Sequence, residues 1–551
     1  MNKLFLFIFL LYGGLLWAQN DSTQNQGEVL TGEIVIEKDK KIILPQADKI
    51  FIRSTPRSFG NDPLNQSFNV QEPKFEWPDY KTDVSHQQVS EPYPLSAYDD
   101  YIKLGYGNYK SPLMEVGLFQ TFGLWDSGVK LFYESFASGP VNEENSENSI
   151  GKVDVSFALD QESFSITPML SFYSKEYRFF GNTNRFYDEF DSAIPDDSRL
   201  NHFMLSTALE TGNESIDFYL KPVFTLTNQD INPENSRNNE SAVGLESRLE
   251  YDIDKAFNLG IDITGNTASY DGGIKYNRSL ININPWVGHK GESFNARAGF
   301  VVASSSFDDS SKTGFYPKAR ITYDISPDWS VYGKISGGLS WNSLEEILNE
   351  NEFMDDSLSI LSTEDEFSVG GGINGNPIST LRLDVSLTHS SLNGLLFYVP
   401  SLGDSARYTL TYDAETVAMT TFRSNVSFMP TSSSTYGASL EINGYSVESL
   451  DKPWHKPAYI FKAYTSHNIQ EKFIASAYLT SMGGIRAPAN VDFGYLKLKA
   501  FMDVGIGLKY LINDRSSVFI DVNNLLNNEY ERYLGYPTRG LAFKIGGQYR
   551  F

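Results

Sequence analysis

The chain has no cysteine among its 551 residues. That absence excludes a disulfide scaffold, cysteine-ligated zinc, an iron–sulfur cluster, a cysteine nucleophile and a lipidated N-terminal cysteine. Positive charge is scarce as well: 45 Lys and Arg stand against 69 Asp and Glu, a formal charge of −24. Nucleic acid is therefore excluded as a partner, because phosphate recognition needs clustered cations. After Trp17 no stretch is apolar enough for a transmembrane helix. Sequence signatures of catalysis are also missing. Gly370, Gly372 and Gly375 spell GxGxxG, but Asn376 and Pro377 follow where a dinucleotide site needs a helix. The six histidines (His86, His202, His289, His389, His455 and His467) lack metal-ligand spacing, and surface or girdle positions are expected for them. No Gly-x-Ser-x-Gly elbow occurs. No catalytic residue, cofactor or enzymatic activity is assigned.

What is abundant is aromatic: 14% of residues are Phe, Trp or Tyr. At the N-terminus Lys3, the apolar run Leu4–Trp17 and the small Ala18 have the anatomy of a secretory signal peptide over residues 1–18. The apolar run is short of the roughly 20 residues that a spanning helix needs. Residues 19–97 are polar and carry Pro45, Pro56, Pro63, Pro73, Pro78, Pro92 and Pro94. Each proline removes a ladder donor and restricts its predecessor, so this segment is predicted to be extended. Only Gly32–Pro45 alternates enough for a strand or two. It reads either as a periplasmic linker or as an arm that docks on a partner or enters a cavity.

From Tyr98 to Phe551 the hydrophobic period is two. Leu381, Leu383, Val385 and Leu387 alternate with Arg382, Asp384, Ser386 and Thr388; Leu541, Phe543, Ile545, Tyr549 and Phe551 alternate with Lys544, Gln548 and Arg550. Soluble sandwiches alternate too, but these segments run to about 10 residues or more, against 5–6 in a usual soluble strand. Their connections switch between short (ETGNES, DIDKAF, NDRS) and long (Ser174–Asn201, Trp341–Glu366), as in outer-membrane barrels. The prediction is an all-β fold over residues 98–551, a transmembrane antiparallel β-barrel of about 22 strands. One strand is expected to begin near Tyr495. Lys221, Arg248, Lys318, Arg320, Arg382, Asp384, Lys497, Lys499, Asp503 and Lys509 are expected to face a wet lumen.

Asp521–Phe551 resembles the last two strands of TonB-dependent receptors. Asn524, Leu525, Leu526 and Tyr530 match that family's Asn-Leu-Leu element and following tyrosine. Pro537, Arg539 and Gly540 match its Pro-Gly-Arg turn in altered order, and Phe551 matches the terminal aromatic that resembles a barrel-assembly signal. The resemblance covers about 30 residues and implies a role in moving a solute or small polymer across the outer membrane. It also implies a periplasmic N-terminus, extracellular long loops, contact with outer-membrane lipid and handling by the barrel-assembly machinery. The chain departs from the family in one respect. Residues 20–97 are too few and too broken by proline to form a plug, and no TonB box is found. The lumen is thus open, closed by in-folded loops, filled by the N-terminal segment, or blocked by a partner such as a surface lipoprotein or another outer-membrane subunit. The missing plug supports an alternative role: a non-transporting subunit of an outer-membrane assembly, secretion or surface-anchoring complex.

One local feature stands out. Asn342–Glu366 holds nine carboxylates and no Lys or Arg. It reads as a solvated face, with Asp355, Asp356, Glu364 and Asp365 as the candidates for a calcium site, although the EF-hand order and glycine are absent.

Overall fold

The computed structural model describes residues 100–551, except 142, 162, 182–195, 214, 233–235, 402–403, 405 and 490–493. The expectations for residues 1–97, signal peptide and extended segment alike, lie outside the described residues. Twenty-two antiparallel strands form one sheet, which closes on itself. The first, Tyr101–Gly107, pairs with Ser111–Phe122 on one side and with the last, Ala542–Arg550, on the other. This is the 22-stranded barrel that the alternation predicts.

The alternation produces the barrel because the two faces meet different solvents. Phe315, Leu387 and Ile545 point outward and are 68%, 55% and 60% exposed. Such side chains stay exposed only where lipid covers them. At the end bearing the tight turns, Tyr251, Phe257, Phe294, Tyr323, Tyr510 and Phe551 are all exposed and form an aromatic belt, as expected at a membrane interface. Both ends of the strand series lie at this same end. The tight turns are made by Asx side chains. Asn213 Oδ1 accepts from the amides of Ser215 and Ile216 at 2.9 Å each, and Asp254 and Asn513 repeat the device.

Wall height is uneven. The strands Ile216–Asn232 and Ser236–Asp252 have 17 residues each, whereas Tyr101–Gly107 and Ser516–Asn523 have 7 and 8. At about 3.3 Å per residue and a tilt near 40°, a strand of that greater length rises about 40 Å, well beyond an apolar band of about 25 Å. The tall side therefore projects past the membrane at the end carrying the long loops, and this surplus wall holds the site described below.

One predicted strand is misplaced. Tyr495–Lys497 pairs with Arg486–Pro488 as a separate hairpin, and the wall strand starts at Phe501. Lys497 and Lys499 therefore belong to a connection and not to the lumen wall. Leu498, which continued the alternation, is instead buried with Met482, Ile485 and Phe501 in a small loop core.

The register makes a direct prediction. Val385 shares the outward face with Leu387, while Ser386 lies opposite Arg423 on the inner face. Val385→Lys should cost about 2–4 kcal/mol if it sits near the bilayer midplane, and Ser386→Lys should cost little. Equal losses in refolding titrations of the two variants would mean the register is wrong, since a one-residue slip exchanges the two faces.

Candidate functional site

The residues from Trp341 to Ser362 fold back into the mouth of the barrel as a lid. Ser343 starts a two-turn helix, Leu344–Glu350, through a capping box: its hydroxyl accepts from Glu346 N at 3.1 Å, and Glu346 Oε2 accepts from Ser343 N at 2.9 Å. Leu344, Ile347 and Leu348 fall on one face and are at most 1% exposed. Phe353, Met354, Leu358 and Ile360 extend this apolar spine. It packs on Tyr173, Tyr177, Leu200, Ile231, Tyr270 and Tyr276 of the tall wall.

A loop that enters a protein interior must satisfy its backbone polar groups, and here the wall supplies the partners. Tyr270 Oη donates to Asp356 O at 3.1 Å and accepts from Leu358 N at 3.2 Å. Tyr276 Oη repeats the pattern with Leu358 O and Ile360 N at 2.9 and 3.0 Å. Asn238 donates to Asp355 O at 2.9 Å. Glu240 Oε1 accepts from Leu344 N at 3.0 Å, and its other oxygen pairs with Arg278, which donates to Asn342 O at 2.6 Å. Each neutral bond contributes about 1 kcal/mol, so the set holds the lid firmly.

Two further connections complete the closure. In the hairpin Leu396–Pro400 and Tyr408–Tyr412, Tyr408 N donates to Phe353 O and Asp355 N donates to Tyr408 O, both at 2.7 Å. The other hairpin is a short one, Glu531–Tyr533 with Tyr536–Pro537, turning at Gly535, whose φ of +85° favours glycine. Its Tyr533 donates to Glu350 O at 2.9 Å, and its Tyr536 ring stacks on Phe353. Glu350, with a third of its side chain exposed, receives Lys456 at 3.1 Å, Arg532 at 3.7 Å and the Tyr398 hydroxyl at 2.8 Å. Burial raises its pKa, but the two cations and the tyrosine prevail and bring it below the usual glutamate value.

The acidic run is thus not a solvated face. Besides Glu350, three of its nine carboxylates are matched by cations far away in sequence: Glu352 with Lys175, Asp355 with Arg407, and Glu364 with Lys312. The four calcium candidates are not brought together. Asp355 is engaged by Arg407 and Ser401, Asp356 by Ser357, Glu364 by Lys312 and Tyr316, and Asp365 by Ser368. Among the described residues no group of three or more His, Cys, Asp or Glu could hold a metal ion.

His455 was expected at a surface or girdle position and is instead fully buried. Its Nδ1 donates to Tyr398 O at 2.8 Å while Nε2 accepts from Leu534 N at 3.4 Å, an arrangement that needs the neutral ring. Burial, assisted by Arg532 and Lys456 and opposed by the Tyr398 carbonyl, pushes its pKa from 6.5 down to about 3. The packed pair of hairpins around His455 therefore binds fewer protons than the separated pair between these values, so their packing is fully stabilised above pH 6.5 and weakens as pH falls. At pH 5 the loss is about 2 kcal/mol, at about 1.4 kcal/mol per pH unit. Corrected hydrogen exchange at the amide of Leu534, which donates to His455 Nε2, should accelerate by about 30-fold from pH 7 to pH 5, and His455→Asn should remove that dependence. Asp413 acts at lower pH: hydrogen bonds from Ser449, Glu415 and Leu450 outweigh its burial and hold it at about 2.

The receptor-like motif occupies the connection between the last two wall strands. Asn524, at a φ of +46°, donates to Asn528 O and Arg539 O, and Tyr530 stacks on Phe501. Arg539 reaches Ser138 O and Ser146 O, a Cβ on Gly540 would strike Asn527, and Pro537 lies in the hairpin beside the lid. Leu525, Leu526 and Phe551 are exposed. The motif thus shapes the connection that carries the lid-contacting hairpin.

No family model and no curated protein matches this sequence. Solved structures do. The FrpB iron transporter from Neisseria meningitidis aligns over 82% of this chain and 81% of its own, with a TM-score of 0.63 and 10% identity. The ferric-catecholate import receptor Fiu from Escherichia coli K12 aligns over 82% of each chain at 0.62 and 10%. The ferripyoverdine receptor of the outer membrane of Pseudomonas aeruginosa aligns over 82% of this chain and 72% of its own at 0.63 and 11%. This chain shares the fold of these transporters and receptors, here a closed 22-stranded antiparallel barrel. At such identity the likeness is one of fold. Within this receptor-like barrel the described residues that occupy the mouth come from its own loops.

Proposed function

We propose that this chain takes part in transport of a solute or small polymer across the outer membrane and that the lid is its closed state. Its short turns and N-terminal segment then face the periplasm, and its long loops face outward. It acts without catalysis. Residues 19–97 reach the mouth that only short turns border, or a partner on that side. The observation that carries this reading is the closure itself: three connections of one chain fill the mouth of a 22-stranded wall whose remaining inner face is polar and charged. A barrel without a pathway to close has no need of such a device. The packing of the lid also favours a second reading, a non-transporting subunit of an outer-membrane assembly, secretion or surface-anchoring complex. Leu344, Met354 and Tyr408 are completely buried, and a closure built like a protein core does not open easily unaided.

Planar-bilayer conductance and liposome swelling separate the two readings. Residues 344–360 are replaced by a short Gly-Ser linker, with and without removal of Gly32–Glu91. Under the transport reading the doubly deleted barrel conducts steadily and admits small sugars, while the full chain is nearly silent. A doubly deleted barrel that inserts normally yet admits neither ions nor sugars would overturn transport.

A further inference from the structure

The wall strand that leads into the lid does not keep to the wall. Where Trp329–Ser340 pairs with Thr363–Ile378, the register shifts between Ser336 and Gly338, and such a bulge bends a strand. Gly338, at a φ of +147°, allows the departure. Beyond it the chain crosses to strand Lys275–Lys290, where Asn282 donates to Leu339 O at 2.9 Å and accepts from Leu339 N at 3.3 Å. In the sheet, strands Phe294–Phe307 and Ser310–Ser326 stand between the two. The crossing segment and the wall together enclose a cavity of about 200 Å³. Ser340 ends the segment and Trp341 begins the lid, so the cavity lies at the lid's root.

Two of the lining residues each carry a buried oxygen with nothing to accept. Asn284 is 4% exposed, and its Nδ2 donates to Asp262 Oδ2 at 2.9 Å. A carboxylate only accepts, so this bond fixes the amide and leaves Asn284 Oδ1 without a hydrogen-bond partner. Asp365 receives the Ser368 hydroxyl on Oδ2 at 2.7 Å, while its buried Oδ1 has no hydrogen-bond partner. Buried polar groups are normally paired, so two open acceptors in one cavity call for donors. The donor is not an ion. Arg248 lies 3.0 Å from Asp262, and Lys318 lines the cavity with Asp365, on which Lys334 also acts. These cations oppose a metal ion or an ammonium group, while the two carboxylates and the open oxygens oppose an anion. A neutral hydroxyl meets neither objection. At roughly 30 Å³ per water the cavity has room for about seven waters, which suits a single sugar unit.

We propose that this cavity binds a neutral polyhydroxylated solute, one sugar unit in size, whose hydroxyls donate to Asn284 Oδ1 and Asp365 Oδ1. A sugar hydroxyl both donates and accepts, so the same unit accepts from the Lys318 ammonium. Water meets the open oxygens of the empty cavity, and a sugar replaces it without losing those hydrogen bonds. The inference rests on the transport reading and names the solute class for it. Binding is measured without a membrane, so the two fail separately: a barrel that binds sugar yet conducts nothing when its lid is deleted sinks transport alone.

The test uses the full chain in a detergent without a sugar headgroup, with D-glucose, D-galactose and D-mannose as the probes. Saturation-transfer NMR titrations follow each sugar, with glucuronate as the anionic comparison and calcium chloride as a competitor. Thr264 lines the cavity and is exposed within it, so Thr264→Phe fills the space without disturbing a core. Ser427→Phe, opposite Arg382 and outside the cavity, is the control. Wild type and control should give saturable transfer to at least one of the three sugars and weaker transfer to glucuronate, while Thr264→Phe should give none. Asn284→Leu and Asp365→Leu should each raise the half-saturating concentration about tenfold, the value of one buried hydrogen bond. Heat-modifiable gel migration confirms that each variant is folded, and the two leucine variants decide the matter if Thr264→Phe is not. Three sugars without saturable transfer would overturn the proposal. So would transfer that survives Thr264→Phe or both leucine variants, glucuronate that binds as well as the neutral sugars, or calcium that displaces them.

Discussion

Replacing Arg278 by leucine should release the lid and cost about 3–5 kcal/mol, the penalty of leaving one member of a buried ion pair alone. The guanidinium and the Glu240 carboxylate are each 2% exposed. Arg278 also donates to Asn342 O and Ile360 O, at the two ends of the lid, and its plane lies 3.9 Å over Trp341 at the lid's root. Glu240 meanwhile holds the amide of Leu344 at the helix start. Without Arg278 the lid loses both anchors, and Glu240 keeps a charge buried beneath the lid with its cation gone. In planar bilayers the variant should show open events that the wild type lacks, and protease should cut between Leu344 and Ile360. The double variant Arg278→Leu with Glu240→Leu should recover part of the stability, because the stranded charge is gone, yet it should still open more readily. A single variant that stays silent in bilayers and resistant to protease would mean that the tyrosine contacts alone hold the lid.

The wall of this barrel was legible from sequence because lipid enforces period two on every outward residue. Val385 and Leu387, or Phe543 and Ile545, could not be exchanged with their neighbours without putting charge in lipid. Strand Ser516–Asn523 and strand Ala542–Arg550 were readable for the same reason. The lid was not legible, because its partners are distant. Glu350 looks like one more solvated carboxylate until Lys456 and Arg532 are brought beside it, and nothing local in the run from Asn342 to Glu366 announces Lys175 or Arg407. One local signal was present all the same. Ser343 and Glu346 have capping-box spacing, with Leu344, Ile347 and Leu348 on one helical face. A helix with an apolar face inside an acidic loop is a better description of SLEEILNE than a solvated run. Tyr495 to Leu498 misled in the other direction: alternation extended across a connection, where Leu498 is buried by a loop core and not by lipid. His455 offered no signal, since a lone histidine between Trp454 and Lys456 does not tell which of its nitrogens will find a partner.

The second large effect is expected at the seam where the barrel closes. Lys544 of the last strand meets Glu134 of the third, Trp125–Phe136, inside the wall, and their side chains are 2% and 4% exposed. The seam strand between them, Tyr101–Gly107, is among the shortest, and close approach there depends on Gly105 and Gly107, where a Cβ would meet Phe519 and the Phe543 carbonyl. Few ladder bonds join this part of the wall, so a stranded charge weighs more than on the tall side. Lys544 also faces Asp521 across the ladder and lies 4.5 Å from the Phe136 ring. Lys544→Met should therefore destabilise closure by about 3–5 kcal/mol, read as a lower temperature for the shift from folded to unfolded migration on unheated and heated gels. Glu134→Leu added to it should restore most of that loss, since a well-packed apolar pair often replaces a buried ion pair without penalty. If Lys544→Met alone leaves the transition unmoved, the seam is held by its backbone ladder and the ion pair contributes nothing to closure.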